Sequence, residues 1–185
     1  MRAKEKSGGF IAVESSLSFN KRRIMLYIGI DPGLDGAVAY LNDRDNSVIL
    51  EDTPTLEVRS GKKRKREYNV SEMAHLLDVD TEDVIVVLEK IHSMPGQGVR
   101  SMFSMGEGYG LWKGIISAYH MPLELVTPQA WKKAMMDGMG KEKDASRLKA
   151  IQLFPLSASN LSRKKDHGRA DALLIAAYYR RKTSF

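Results

Sequence analysis

The sequence predicts an α/β domain built on a mixed five-stranded sheet, three strands antiparallel and the later ones parallel, with helices on both faces. Three observations carry that reading. Two unbroken apolar runs, Ile24-Met25-Leu26-Tyr27-Ile28-Gly29-Ile30 and Val84-Ile85-Val86-Val87-Leu88, have the length and content of strands buried on both faces. Each is closed by an acid, Asp31 before Pro32-Gly33 and Glu89 before Lys90. Around and after the second run, helical segments alternate with short apolar ones, the order that βα units produce.

Each element follows from local chemistry. The first strand stops at the turn Asp31-Pro32-Gly33. Residues 37–41 and 47–51 read as two further strands joined by the polar turn Asn42-Asp43-Arg44-Asp45-Asn46, so the chain opens with an antiparallel meander. Residues 52–69 are expected to form a long loop. Residues 71–77 predict a short helix capped by Asn69 or Ser71. A Gly-, Ser- and Met-rich stretch, 93–110, merges into a helix ending near Tyr119, and residues 123–126 are the fifth strand. Thr127-Pro128 opens the next helix, Thr as N-cap and Pro at the first helical position. Residues 141–154 predict a helix, 155–165 a basic loop and 168–182 a closing amphipathic helix. The order βββαβαβα is that of the ribonuclease H-like fold.

The 185 residues suffice for one domain with a sizeable core, and no internal repeat is present. Residues 1–23 read as a flexible basic leader: they lack a secretory hydrophobic centre, and Glu5 and Glu14 do not suit an organelle transit peptide. Residues 24–185 form the domain. Lys plus Arg number 29 against 23 Asp plus Glu, a net charge of +6 that favours a polyanionic partner, nucleic acid ahead of a membrane surface. The absence of cysteine excludes disulfides, thiol catalysis and Cys-based zinc sites, and four His are too few for a His-rich cluster. No apolar run approaches the roughly 20 residues of a membrane span.

Asp31 and Glu89 end two buried strands at the same relative place. If those strands are adjacent and parallel, both carboxylates emerge together at the C-terminal edge of the sheet, where open sheets bind ligands. Crowded carboxylates repel unless a cation sits between them, and hard oxygen ligands suit Mg²⁺ or Mn²⁺. Asp166-His167-Gly168-Arg169-Ala170-Asp171, at the start of the last helix, supplies further candidates. His167 and Asp171 are four apart and share a helical face, whereas Asp166 is an N-cap candidate. Taken singly, each acid suits an ordinary turn or cap; taken together, three acids at one sheet edge point to a metal centre.

Three segments resemble the active-site motifs of RuvC-like Holliday junction resolvases: Gly29-Ile30-Asp31-Pro32-Gly33, Val87-Leu88-Glu89-Lys90 and Asp166-His167-Gly168-Arg169-Ala170-Asp171-Ala172-Leu173. The likeness spans about residues 24–180. Asp52-Thr53-Pro54-Thr55, Tyr109-Gly110-Leu111-Trp112 and Lys164-Lys165-Asp166-His167-Gly168-Arg169 are similar to the branch holding small bacterial and phage resolvases and plastid resolvases. The resemblance implies a homodimeric endonuclease that binds four-way DNA junctions and nicks two opposing strands symmetrically. It implies two Mg²⁺ (or Mn²⁺) ions per site on Asp31, Glu89 and Asp171, and products with 5′-phosphate and 3′-hydroxyl ends. One departure stands out. Where bacterial RuvC carries a second acid three residues before the last one, this chain has Gly168, so His167, with Asp166 as alternate, is the fourth ligand. By the same resemblance Lys132 and Lys143 align with basic residues that approach the scissile phosphate and stabilise transition-state charge.

Lys62, Lys63, Arg64, Lys65 and Arg66 form a cationic run suited to phosphate contact, as do Lys132, Lys133, Lys143, Arg163, Lys164 and Lys165 near the proposed centre; solvated surface lysines and arginines are the plain alternative. His92 and Phe103 are candidates for stacking on an unpaired junction base, with a core or dimer contact preferred for Phe103. Trp131 is expected in the core. The helix near residues 102–119, with Leu111, Trp112, Ile115 and Ile116, is the expected dimer surface, since two symmetric cuts need a two-fold dimer. Rival readings are another ribonuclease H-like nuclease acting on RNA–DNA hybrids or general DNA, and a non-catalytic junction-binding module. The expected setting is bacterial or phage cytoplasm, or a plastid if the source is a plant or alga.

Overall fold

The computed structural model describes residues 25–184 except 62, 93–95, 97, 141 and 143, and, within the strands, not the side chains of Ser60 and Lys63. The expected leader, residues 1–23, lies outside the described residues. The main sheet has the strand order β3-β2-β1-β6-β7, made of β1 (Leu26–Asp31), β2 (Ala37–Asn42), β3 (Val48–Asp52), β6 (Val84–Glu89) and β7 (Leu123–Val126). β1, β2 and β3 pair antiparallel. β6 runs parallel to both β1 and β7. The predicted mixed five-stranded sheet is therefore present.

Strand alternation splits the core into two layers. Tyr27 and Val87 face α3 (Pro128–Met135), α4 (Ala145–Leu153) and α5 (His167–Thr183), and pack with Trp131, Phe154 and Leu173. Ile28, Ile30, Val86 and Leu88 face α1 (Val70–Leu76) and α2 (Val99–Ala118), and pack with Met73, Trp112 and Ile116. Trp112 and Ile116 are thus fully buried within the chain and are withdrawn from the expected dimer surface; Leu111 and Ile115 pack partly against the same layer. Helix ends follow the expected chemistry. The Asn69 side chain accepts from the Glu72 amide at the start of α1, and Thr127 from the Ala130 amide at the start of α3.

Residues 52–69 are not a loop. β4 (Thr55–Ser60) and β5 (Lys63–Tyr68) pair antiparallel as a separate two-stranded sheet with Ser60 opposite Lys63 and Gly61, at φ +62°, in the turn. The run of cations conceals the strand because its period-two alternation lies in which face each side chain takes, not in hydrophobicity. Three smaller boundaries also move: α2 starts at Val99, α4 covers only Ala145–Leu153, and the expected basic loop after it folds as 3-10 turns, Pro155–Leu161 and Lys164–Asp166.

α5 packs directly across β1. A Cβ on Gly29 would run into the Ala172 carbonyl and the Ala176 backbone, so glycine here sets how closely helix and strand approach. The Gly29→Ala variant is expected to lose about 2–3 kcal/mol by overpacking, measured as a lower urea midpoint at unchanged m-value.

Candidate active site

β1 and β6 are in the parallel register Ile30↔Leu88. The next residue of each, Asp31 and Glu89, therefore leaves the C-terminal edge side by side, on strands about 4.8 Å apart. Asp31 lies two beyond Gly29 and Glu89 two beyond Val87, so both carboxylates take the face covered by α5. Asp171 comes from that helix, one turn after His167. Asp31 and Glu89 thus end neighbouring parallel strands, the condition the sequence reading set for them.

Their electrostatics show how crowded this edge is. Burial, and then the charges of Asp171 and Glu89, push the Asp31 carboxyl up to about 8, against the pull of Lys132. Burial also raises Glu89, opposed by a hydrogen bond from Trp131 and by Lys132. Asp171 is raised by burial and held down by a hydrogen bond with Ser146 and by the charges of Lys132 and His167. Among the described residues Lys132 is the cation whose charge lowers all three acids; its ammonium also lies 5.1 Å from the Trp131 ring centroid.

Trp131 is more than core. Glu89 pairs with Val126 at the end of β7, and the helix opened by Thr127-Pro128 brings the indole back over β6. Its Nε1–H donates to Glu89 Oε1 at 2.7 Å from a fully buried ring. Sequence reasoning missed this role, although a Trp beside the candidate Lys132 was the available signal. Ser146 and Tyr68 were missed as well. The Tyr68 hydroxyl donates to the carbonyls of Ser104 (3.1 Å) and Pro32 (3.4 Å), tying the hairpin to α2 and to the turn after Asp31. Gly108 leaves no room for a Cβ against that tyrosine.

Two atoms test whether a cation suits the site. His167 Nδ1 and Asp171 Oδ1 are buried with no hydrogen-bond partner, and a buried polar atom of this kind needs a ligand, an ion or water. The carboxylates match the preference of Mg²⁺ or Mn²⁺ for hard oxygen donors, while the imidazole is a softer donor than those ions usually take. Among the described residues, no three His, Asp or Glu side chains are drawn together closely enough to form a finished cation site; one Glu89 oxygen is engaged by Trp131 instead.

The last helix also explains the glycine at 168. A Cβ there would press on the Asp35 carbonyl and Gly36, so no carboxylate side chain fits at that position, and His167 lines the cleft instead. Asp166, the alternate ligand, is buried and takes its hydrogen bonds from Arg163, through the backbone amide at 2.8 Å and Nε at 3.0 Å. Arg163 is correspondingly tied to Asp166, while Lys164 and Lys165 are exposed beside it. Lys133 is exposed on α3, whereas Lys62 and Lys143 lie outside the described residues. His92 is exposed just after β6. Phe103 is 74% exposed on α2, which overturns a core position for it.

A cleft of about 940 Å³ opens at Asp31 and Glu89, lined by both carboxylates and His167 together with Arg64, Arg66 and Arg100. Anionic chemistry at the floor and cationic walls together suit a phosphate chain held over a metal centre.

Comparisons with known proteins follow this geometry. No protein-family model matches the sequence. The chain superposes on Thermus thermophilus RuvC in complex with a Holliday junction substrate with a TM-score of 0.51, covering 86% of this chain and 97% of that one at 17% identity. The fold is that of RuvC. A second T. thermophilus RuvC structure gives a TM-score of 0.47 at 17% identity, covering 85% and 96%. In sequence, 85 residues are 36% identical to the Chlamydomonas reinhardtii protein named Holliday junction resolvase MOC1, chloroplastic. That stretch is 46% of this chain, and it spans only a tenth of the length of the algal protein.

Two outcomes follow. In the metal-free protein, raised carboxyls keep protons in the folded state that the unfolded chain has released. Their contribution to stability is therefore full below about pH 4 and is lost as pH rises through about 8. Thermal melts in EDTA across pH 4–9 are expected to show that decline, and Asp31→Asn should flatten most of it; a profile identical to wild type would refute the crowding. Trp131→Phe, which removes the donor along with part of a buried ring, should let the Glu89 carboxyl titrate higher still, read by NMR titration of the metal-free protein.

Proposed function

We propose that this chain is a metal-dependent endonuclease that resolves four-way DNA junctions by paired, symmetric nicks in opposing strands. One observation carries the reading: Asp31 and Glu89 leave neighbouring strands side by side at one sheet edge, under a cleft walled by arginines, and the charge of Asp171 on α5 raises both. The resolvase name of the algal relative and the RuvC fold support the junction as substrate. The chloroplastic label of that relative favours a plastid setting, beside the bacterial or phage one.

Asp31, Glu89, Asp171 and His167 would hold the divalent ions, two per site. When bound, such a pair polarises the phosphate, lowers the pKa of the attacking water and stabilises the leaving 3′ oxygen. The chain's own residues do the rest. Trp131 and Ser146 hold the Glu89 and Asp171 carboxyls in place. The Lys132 ammonium, already felt by all three acids, supplies positive charge where a scissile phosphate would gather it. His167, with Nδ1 free of partners, is placed to ligate or to carry a proton. Inversion at phosphorus by water leaves 5′-phosphate and 3′-hydroxyl ends.

Two symmetric cuts require a second centre, hence a homodimer. The outer face of α2 supports it: Val99 and Phe103 are 81% and 74% exposed, and Gly106, Gly110 and Gly114 follow at helical spacing with open space where a Cβ would stand. A partner helix can approach such a face closely.

The test incubates purified protein with a synthetic four-way junction, a linear duplex and an RNA–DNA hybrid, with and without Mg²⁺. Paired junction cuts only with Mg²⁺ are expected, and Asp31→Asn should abolish them while junction affinity stays within a few-fold. Preferential cleavage of the hybrid would overturn the junction reading, and cutting by Asp31→Asn at the wild-type rate would overturn the metal centre.

A further inference from the structure

The basic run at residues 62–66 is not uniform once β5 is a strand, because alternate side chains take opposite faces of the hairpin. Tyr68, Arg66 and Arg64 share one face, and all three line the cleft. The ladder places Glu57 opposite Arg66 and Arg59 opposite Arg64, so Arg59, outside the run altogether, joins that face. Lys65 also borders the cleft, but its ammonium turns to Glu67 of its own strand at 3.0 Å, on the other face.

The two ends of the shared face differ. At its base everything is fastened. Tyr68 bonds two carbonyls from different elements, and Arg66 pairs with Asp35 at 2.6 Å and also donates to the Leu34 carbonyl. At its tip little is. Arg64 has a single exposed pair with Glu57 at 3.3 Å, and Arg59 makes no side-chain ion pair or hydrogen bond among the described residues. Directly opposed like charges, with Cβ atoms about 5 Å apart, destabilise a ladder. An anion seated between them relieves that repulsion, and the guanidinium fork matches a phosphate's oxygens.

We propose that the β4–β5 hairpin is a phosphate-gripping arm whose seat is the Arg59–Arg64 pair, taking a backbone phosphodiester of the DNA strand that enters the cleft. Arg66, despite standing in the same run, is a positioning residue: with Asp35 it latches the arm to the turn that carries Asp31. This rests on DNA as the substrate but not on cleavage.

Anisotropy of a fluorescent four-way junction and of a linear duplex, titrated across KCl concentration with the full chain, tests both halves. Arg59→Gln and Arg64→Gln are each expected to lessen the slope of log Kobs against log [KCl] by about 0.9, and Lys65→Gln by less than half as much. Equal effects at all three positions would overturn the seat, since only a diffuse positive surface behaves that way. Asp35→Asn and Arg66→Gln alter charge in opposite senses, yet a shared latch makes both weaken binding several-fold with the salt slope unchanged. Tighter binding by Asp35→Asn with weaker binding by Arg66→Gln would show Arg66 to be a phosphate contact and overturn the latch. A wild-type protein that binds DNA with these slopes but cuts no junction would leave the arm standing and remove the nuclease reading; one that binds no DNA removes the arm. Melting curves within 2–3 °C of wild type exclude unfolding as the cause.

Discussion

Two parallel strands whose last residues are both acids create the constraint on which this molecule is organised. The register Ile30↔Leu88 leaves Asp31 and Glu89 side by side at the sheet edge, and α5 brings Asp171 near enough for its charge to raise both. Like charges in a partly dry setting repel strongly, so the arrangement persists only because the surrounding fold is over-determined. Gly29 allows α5 to lie on β1, and Gly168 lets its first turn press against Gly36. The hydrogen bond from Trp131 and the charge of Lys132 oppose the repulsion. Crowding of this kind is stored electrostatic repulsion, and it ties the protonation of these carboxyls to the stability of the fold.

The cleft above the acids is assembled from parts that are not in the main sheet. The hairpin forms one wall and α2 contributes another, and the Tyr68 hydroxyl joins both to the turn after Asp31. Burying Trp112 and Ile116 fixes α2 against the sheet while leaving Val99 and Phe103 outward. One helix thereby has two surfaces, an inner one for the core and cleft and an outer, exposed one. The fold is shared with RuvC at low sequence identity, as expected when a packing pattern rather than particular side chains specifies the arrangement.

Much of the site was legible because its signals are local. An apolar run closed by an acid is visible without coordinates, as is the one-turn spacing from His167 to Asp171. The hairpin was not, because Lys63, Arg64, Lys65 and Arg66 carry no hydrophobic alternation, and strand character there is set by pairing with 55–60 rather than by composition. Trp131 read as core, which is correct for its ring; the bond to Glu89 depends on where β7 ends relative to β6, a matter of register between distant segments. Phe103 misled for a related reason, since only the rotation of α2 decides which of its apolar residues are outward.

Periodicity, turn chemistry and charge determined by themselves the five strands of the main sheet and the helices that cover it, the pairing of Asp31 with Glu89 at one edge, and a net charge of +6. All of these depend on residues within a few positions of one another or on sums over the chain. Tertiary structure alone decided which lysines and arginines face the acids, that Asp166 is bound to Arg163 while His167 opens to the cleft, and which half of the basic run is anchored. Those outcomes depend on strand register and helix rotation, and a shift of one residue in either turns a side chain to the opposite face.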